Sequence, residues 1–185
     1  MNKKLKLWEL DRKTPEEFRG QKKFPVVIIL DDIRSLNNVG SFFRTADAFN
    51  VEQIVLAGIT ACPPHKDIRK TALGATETVR WKYAENPTDE VKALKAKGYV
   101  VCAIEQTEKT TFLQEVQGFD VKPYVLIFGN EVNGVRQDLV DCADCVIEIP
   151  QFGTKHSLNV SVCAGIVLWE FCKKFIEWDK YCFFF

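Results

Sequence analysis

Two short stretches of this chain combine residue types that can hold a small molecule. Gly129-Asn130-Glu131-Val132-Asn133-Gly134 follows the apolar run Tyr124 to Phe128, so a strand feeds a turn bracketed by glycines. Glycine lets backbone amides come close to a ligand, and the acid and amides between the two glycines place polar groups at its edge. Farther on, Ser157-Leu158-Asn159-Val160-Ser161 opens a long apolar segment. A polar loop emptying into a helix start offers unpaired N–H groups and the positive end of a helix dipole to polar ligand atoms. Ser157 and Asn159 suit plain N-capping as well, and the two roles are compatible. Upstream, Arg44 stands in a helical stretch where it suits either an anionic substrate or an ion pair with Asp47.

The elements that must position these residues alternate. Val26 to Leu30, Gln53 to Ala57, Tyr99 to Ile104, Tyr124 to Phe128 and Cys145 to Ile149 are buried-strand runs bounded by Gly, Pro or acids. Between them the spacing predicts helices over Val39 to Phe49, Thr88 to Lys97, Arg136 to Cys142, and Leu158 to about Trp178. This predicts an α/β fold: a mainly parallel sheet with helices on both faces, which binds ligands in loops at the carboxyl ends of its strands. Residues 63–82 are expected to be loop, with one helical turn near Ile68 to Leu73. In the first helix Val39, Phe42, Phe43, Ala46 and Phe49 make the buried stripe, leaving Asn37, Ser41 and Arg44 on the other side. In the last helix Val160, Cys163, Ala164, Val167, Leu168, Phe171, Cys172 and Phe175 form one stripe, and Val162, Ile166, Trp169 and Ile176 a second. The second exceeds what one sheet face needs and predicts contact with another copy of the chain.

Bulk composition excludes several classes. With 185 residues, 46% hydrophobic and 27% charged, the chain reads as one globular domain. Its longest apolar runs fall far short of a membrane span, and no leader-like apolar stretch follows the Lys-rich start, so a cytoplasmic protein is expected. Seven scattered cysteines read as reduced thiols. Cys142-Ala-Asp-Cys145 has metal-ligand spacing with His156 as a third candidate, but no second Cys pair completes a site, so no metal is expected. Instead Cys142 reads as a helix end and Cys145 as the start of a buried strand. Net charge is zero but uneven: residues 1–24 hold eight Lys/Arg against four acids. Lys3, Lys4, Lys6, Arg12 and Lys13, with a second cluster at Lys66, Arg69 and Lys70, are candidate contacts for a phosphate backbone, although a solvated surface carries the same pattern.

Three stretches taken together point further: Asn37-Asn38-Val39-Gly40-Ser41-Phe42-Phe43-Arg44-Thr45-Ala46-Asp47-Ala48-Phe49, then Leu126 to Val135 with its Gly-bracketed turn, then Ile149-Pro150 followed by Ser157-Leu158-Asn159-Val160-Ser161-Val162. In order and spacing they closely resemble the three motifs of the SpoU/TrmH branch of the SPOUT RNA methyltransferases, over roughly residues 25–175. The resemblance implies an S-adenosylmethionine-dependent 2′-O-ribose methyltransferase, a homodimer, and a C-terminal part threaded into a trefoil knot. It also implies a division into a basic extension (1–24), a SPOUT methyltransferase domain (25–178) and an aromatic tail (179–185).

By the same resemblance the cofactor pocket consists of Gly129, Ile149 and Leu158, with Asn130 and Glu131 at its rim. A Gly129→Val change is then expected to abolish cofactor binding while leaving the fold intact. Arg44 matches the arginine assigned to the acceptor hydroxyl. A guanidinium is a poor proton acceptor, so orienting the ribose and stabilising alkoxide character suit it better. Asn38 would orient Arg44 or the ribose, Glu131 would fix Arg44 or the third-motif loop, and Ser157 and Asn159 would order the helix entrance. One departure is His156, where many relatives carry Glu. The compact chain and the Pro63 to Ala75 segment favour tRNA as substrate, with ribosomal RNA as the alternative. A non-catalytic RNA-binding protein on the same fold is the main rival. A nucleotide-binding oxidoreductase is disfavoured because no G-x-G-x-x-G follows a strand.

Overall fold

Strand β1 (Phe24–Asp31) turns Val26, Ile28 and Leu30 to one side and Val27 and Ile29 to the other, and all five are buried. A strand apolar on both faces needs cover on both faces. That cover is present in the computed structural model, which describes residues 2–10, 12–118 and 122–182. The remaining strands are β2 (Val51–Ala57), β3 (Trp81–Ala84), β4 (Val100–Ile104), β5 (Thr111–Phe112), β6 (Tyr124–Phe128) and β7 (Cys145–Glu148). They lie in the order β3-β2-β1-β6-β4-β7-β5, and every pairing is parallel. In the central register Ile28 faces Ile54 on β2 and Leu126 on β6.

Helices α2 (Leu36–Ala48), α3 (Lys66–Ala72), α4 (Ala75–Thr78) and α7 (Val160–Cys182) contribute to the larger core, on the side of Val26, Ile28 and Leu30. Helices α5 (Pro87–Ala96) and α6 (Gln137–Cys142) cover the other side through Val91, Leu94 and Leu139. The stripe of α7 lies as its spacing predicts: Ala164, Val167, Leu168, Phe171, Cys172 and Phe175 are buried, with Phe171 edge-on to Tyr124 at 4.9 Å. The second stripe remains exposed, Val162 at 53% and Trp169 at 56%. Residues 183–185 of the aromatic tail lie outside the described residues.

Residues 63–82 are more ordered than their sequence predicts. They form α3 and α4 and enter β3, an edge strand that pairs Ile54 with Trp81 and Leu56 with Tyr83. Four residues containing a lysine, with Tyr83 half exposed, give too little alternation to reveal a strand. Helix α3 packs on α2 at Gly40, where a Cβ would stand 2.0 Å from Thr71 Oγ1 and 2.3 Å from the Ile68 carbonyl oxygen. Helix α6 ends at Cys142 and β7 begins at Cys145, as the apolar reading of that pair predicts. The Cys145 thiol donates to Cys102 Sγ on the neighbouring strand at 3.3 Å. Helix α1 (Pro15–Gly20) is held by a Thr14/Glu17 capping box, and Arg19 donates to the Glu77 carbonyl of α4.

Candidate functional site

Strands β4, β6 and β7 end together, and the loops that follow them enclose a cleft of about 490 Å³, a size ordinary for a small-molecule site. Gly129, Asn130, Glu131, Ile149 and Leu158 all line it, as do Ser157 and Asn159. Thus the two stretches singled out by their residue types come together at the carboxyl edge of the sheet.

The Gly129–Gly134 turn closes on itself. Asn130 and Gly134 exchange backbone hydrogen bonds of 3.0 and 2.9 Å. The Asn130 side chain donates to the Asp32 carbonyl at 2.7 Å and accepts from the amides of Val132 and Asn133. A Cβ on Gly129 would stand 2.1 Å from both Gly134 C and Val135 N. Glycine is therefore required by the turn's own backbone, and Gly129→Val disrupts the turn itself. The expectation of an intact fold in that variant is corrected by this contact. Gly134 has φ +69, and Glu105 lies where its Cβ would be. The Glu105 carboxylate accepts from the Val135 amide at 2.8 Å. One residue on, the Arg136 amide donates to Asp31 at 3.1 Å, and the Arg136 guanidinium pairs with the same carboxylate at 3.4 Å. Asp31 is fully buried; that burial raises its pKa against the lowering effect of Arg136.

Glu131 ties the turn to α2. Its carboxylate accepts from the Arg34 and Ser35 amides, each at 3.0 Å, and from Asn38 Nδ2 at 2.9 Å. Burial opposes ionisation of Glu131, but these donors outweigh it and hold the carboxyl below its ordinary range. Asn38 Oδ1 in turn accepts from Asn159 Nδ2 at 3.2 Å. Asn159 Oδ1 accepts from the Ser161 and Val162 amides and so caps α7. Asn159 therefore caps α7 and, through its amide nitrogen, also ties the helix start to α2. Glu131, Asn38 and Asn159 form one chain of hydrogen bonds across three segments far apart in sequence.

Other candidates sit differently. Arg44 is exposed on α2, does not line the cleft, and makes no hydrogen bond or ion pair among the described residues. The expected contacts of Glu131 and Asn38 with Arg44 are not formed; both side chains face each other instead. Ser157 is exposed at the cleft without a hydrogen-bond partner among the described residues. Lys66, Arg69 and Lys70 are exposed on α3, which packs against the helix bearing Arg44. In the N-terminal segment Lys3 pairs with Glu9, and Lys13 bonds Gln21. Lys4, Lys6 and Arg12 are exposed without an ion pair among the described residues, and Lys6 lies 5.1 Å over the Trp8 ring.

Glu105 and Asp31 are the supporting residues that sequence reasoning missed. Each directly ends an apolar strand run, and a charged residue at a strand's carboxyl end is the signal that could have found them. Glu105, Glu131 and Glu148 line the cleft, and among the described residues His156 is the one lining side chain able to carry positive charge. Such a cavity repels phosphate and suits a cation.

Residues 25–169 match the model of the SpoU rRNA Methylase family. The 23S rRNA (guanosine-2′-O-)-methyltransferase RlmB of Pseudomonas aeruginosa is 29% identical over 151 residues, which make up 81% of this chain and 59% of that protein. The chain thus spans less than two thirds of this relative's length. Among solved structures, the A. aeolicus TrmH/SpoU tRNA modifying enzyme superposes with a TM-score of 0.79 at 27% identity, covering 91% of this chain and 83% of that one. An AdoMet-bound rRNA methyltransferase from Sinorhizobium meliloti superposes with a TM-score of 0.76 at 28% identity, covering 88% and 61%.

Proposed function

The chain belongs to the SpoU rRNA methylase family, and on that premise we propose that it methylates the 2′-hydroxyl of a ribose in structured RNA, using S-adenosylmethionine, with tRNA the favoured substrate. The observation that carries this reading is the Glu131–Asn38–Asn159 chain of hydrogen bonds at a cleft lined by Gly129, Ile149 and Leu158. It joins all three stretches that carry the family resemblance.

The cleft fits that cofactor chemically. Among the described residues its lining has three glutamates and no Lys or Arg, which suits a sulfonium cation and disfavours the pyrophosphate of a dinucleotide. Bound S-adenosylmethionine would supply an electrophilic methyl group. The protein's part is to hold it through the backbone around Gly129, Ile149 and Leu158, and to place a ribose oxygen in line with the methyl. Arg44, exposed and unpaired among the described residues, has its planar fork available for ribose and phosphate. It stabilises negative charge developing on the oxygen rather than accepting its proton. Asn159 orders the entrance to α7, and Ser157, exposed beside it at the cleft, has its hydroxyl available to the substrate.

The same reading includes a homodimer formed through the exposed stripe of α7, a threaded C-terminal knot, a basic RNA-holding segment over 1–24 followed by the methyltransferase domain over 25–178, an aromatic tail over 179–185, and action in the cytoplasm. The likeness to the tRNA modifying enzyme, which covers 83% of that chain, supports tRNA over ribosomal RNA. The 23S rRNA relative supports ribosomal RNA as the second reading. The test is transfer of labelled methyl from S-adenosylmethionine to unmodified tRNA or ribosomal RNA, with the modified ribose mapped. Cofactor binding with no transfer to either RNA would favour a non-catalytic RNA-binding protein, and binding of NAD in place of S-adenosylmethionine would overturn the cofactor reading.

A further inference from the structure

Phe152 is 98% exposed, the most exposed large apolar residue among those described. It follows Gln151, which lines the cleft, in a loop whose residues 152–159 are all exposed. A single exposed apolar side chain is ordinary on a protein surface. Its loop and the cleft that the loop borders make this one different. Val132, on the glycine-bracketed turn that lines the same cleft, is 74% exposed. Lys155, three residues beyond Phe152, is exposed and has no ion-pair partner among the described residues. The cleft itself is lined by Glu105, Glu131 and Glu148.

Resting on the function proposed above, we infer that Phe152 is a stacking platform for a nucleobase of the RNA substrate, holding the acceptor nucleotide at the mouth of the cleft. An acidic cleft repels the phosphates on either side of the acceptor ribose, so charge cannot draw the nucleotide inward. An aromatic face attracts a base without regard to that field, because every base presents a π surface. Lys155 lies just beyond the platform, outside the cleft lining, where an adjacent phosphate can be neutralised away from the glutamates. Phe152 thus supplies the apolar half of a contact whose ionic half must stay outside.

The test compares Phe152→Ala, Phe152→Leu and Phe152→Tyr in methyl transfer and in binding. Loss of a base–aromatic stack weakens binding by about five- to hundredfold. The expected result is a rise of that size in KM for RNA with Phe152→Ala, little rescue by Leu, full rescue by Tyr, and unchanged affinity for S-adenosylmethionine. Phe152→Trp gives a readout independent of catalysis: its emission, taken as the difference from wild type, is quenched when unmodified tRNA transcript is added. Unaltered KM in Phe152→Ala, or full rescue by Leu, overturns the stacking role. A shift to monomer on sedimentation of Phe152→Ala assigns the residue to a second copy of the chain and overturns it too. RNA binding without quenching in Phe152→Trp removes this inference and leaves the methyltransferase reading standing, whereas wild-type protein that binds no RNA removes both.

Discussion

The Gly129–Gly134 turn and the loop spanning 151–158 flank one cleft and are built on opposite plans. In the turn, the Asn130 and Glu131 side chains are tied to Asp32, Arg34, Ser35 and Asn38, the Gly134 backbone is paired with that of Asn130, and Glu105 and Asp31 brace the residues that follow from neighbouring strands. In the loop, residues 151–158 make no hydrogen bond among the described residues, and Phe152 stands in water. A wall whose polar groups already have partners is pre-organised and loses little freedom when a ligand binds. A loop without partners is completed by what it meets, and segments of this kind commonly order on binding. The first plan suits a cofactor of fixed shape and the second a large substrate.

Arg44 belongs with the unpartnered surfaces, and its removal is the largest way to sharpen the contrast. Arg44→Ala should lower methyl transfer by about two orders of magnitude or more, the scale of a lost transition-state donor, with cofactor affinity near normal. Arg44→Lys keeps a charge but not the planar fork, so a severe defect there identifies geometric clamping, and near-complete rescue identifies charge alone. A normal transfer rate in Arg44→Ala would remove Arg44 from the reaction.

Gly129→Val attacks the closed side. Overpacking a filled site costs about 1–3 kcal/mol, so this variant should melt several degrees lower and lose the cofactor as well. A wild-type melting temperature would show that the turn yields more than its contacts imply.

Glu131→Gln keeps the shape but replaces one acceptor oxygen by an NH2 that faces a backbone N–H, for a loss of about 1–2 kcal/mol. The carboxyl of Glu131 is held below its ordinary value of 4.5, so its contribution is complete above that pH and is lost as pH falls through the lowered value. The stability gap between wild type and Glu131→Gln should therefore be full at pH 6 and close in stronger acid. A gap independent of pH would mean that the charge contributes nothing.

The smallest effect concerns the N-terminal segment. Deleting residues 1–22 should reduce the salt dependence of RNA binding by roughly 0.9 in log–log slope for each duplex phosphate that the shortened protein no longer neutralises. Among the described residues Lys3 and Arg19 already have carboxylate partners, so the change should come chiefly from Lys4, Lys6, Arg12, Lys13 and Lys22. An identical slope would make the segment ordinary solvated surface.

Much of this was legible because it is periodic or local. The apolar runs of β1, β6 and β7 are visible as short continuous stretches between polar boundaries, the stripe of α7 as steps of three and four, and capping by Asn159 is a matter of the next three residues. The strands β3 and β5 were not legible, because four and two residues at the sheet's edges carry no pattern that a loop lacks. Roles for Glu105 and Asp31 were hidden for another reason: each braces a turn that arrives from a distant part of the chain.

By itself, then, the sequence determined the kinds of element, their order, the parallel sheet covered on both faces, and the two loops that would form a site. Those follow from side-chain period and turn chemistry, which act over a few residues. Only the tertiary structure decided that Glu131 faces Asn38 rather than Arg44, that Gly129 is required by its own turn, and that Phe152 stands unpartnered beside an acidic cleft. The bonds concerned join residues 93 and 121 positions apart. Which distant partner a carboxylate or amide meets depends on how the strands are ordered in the sheet, and no local pattern encodes that choice.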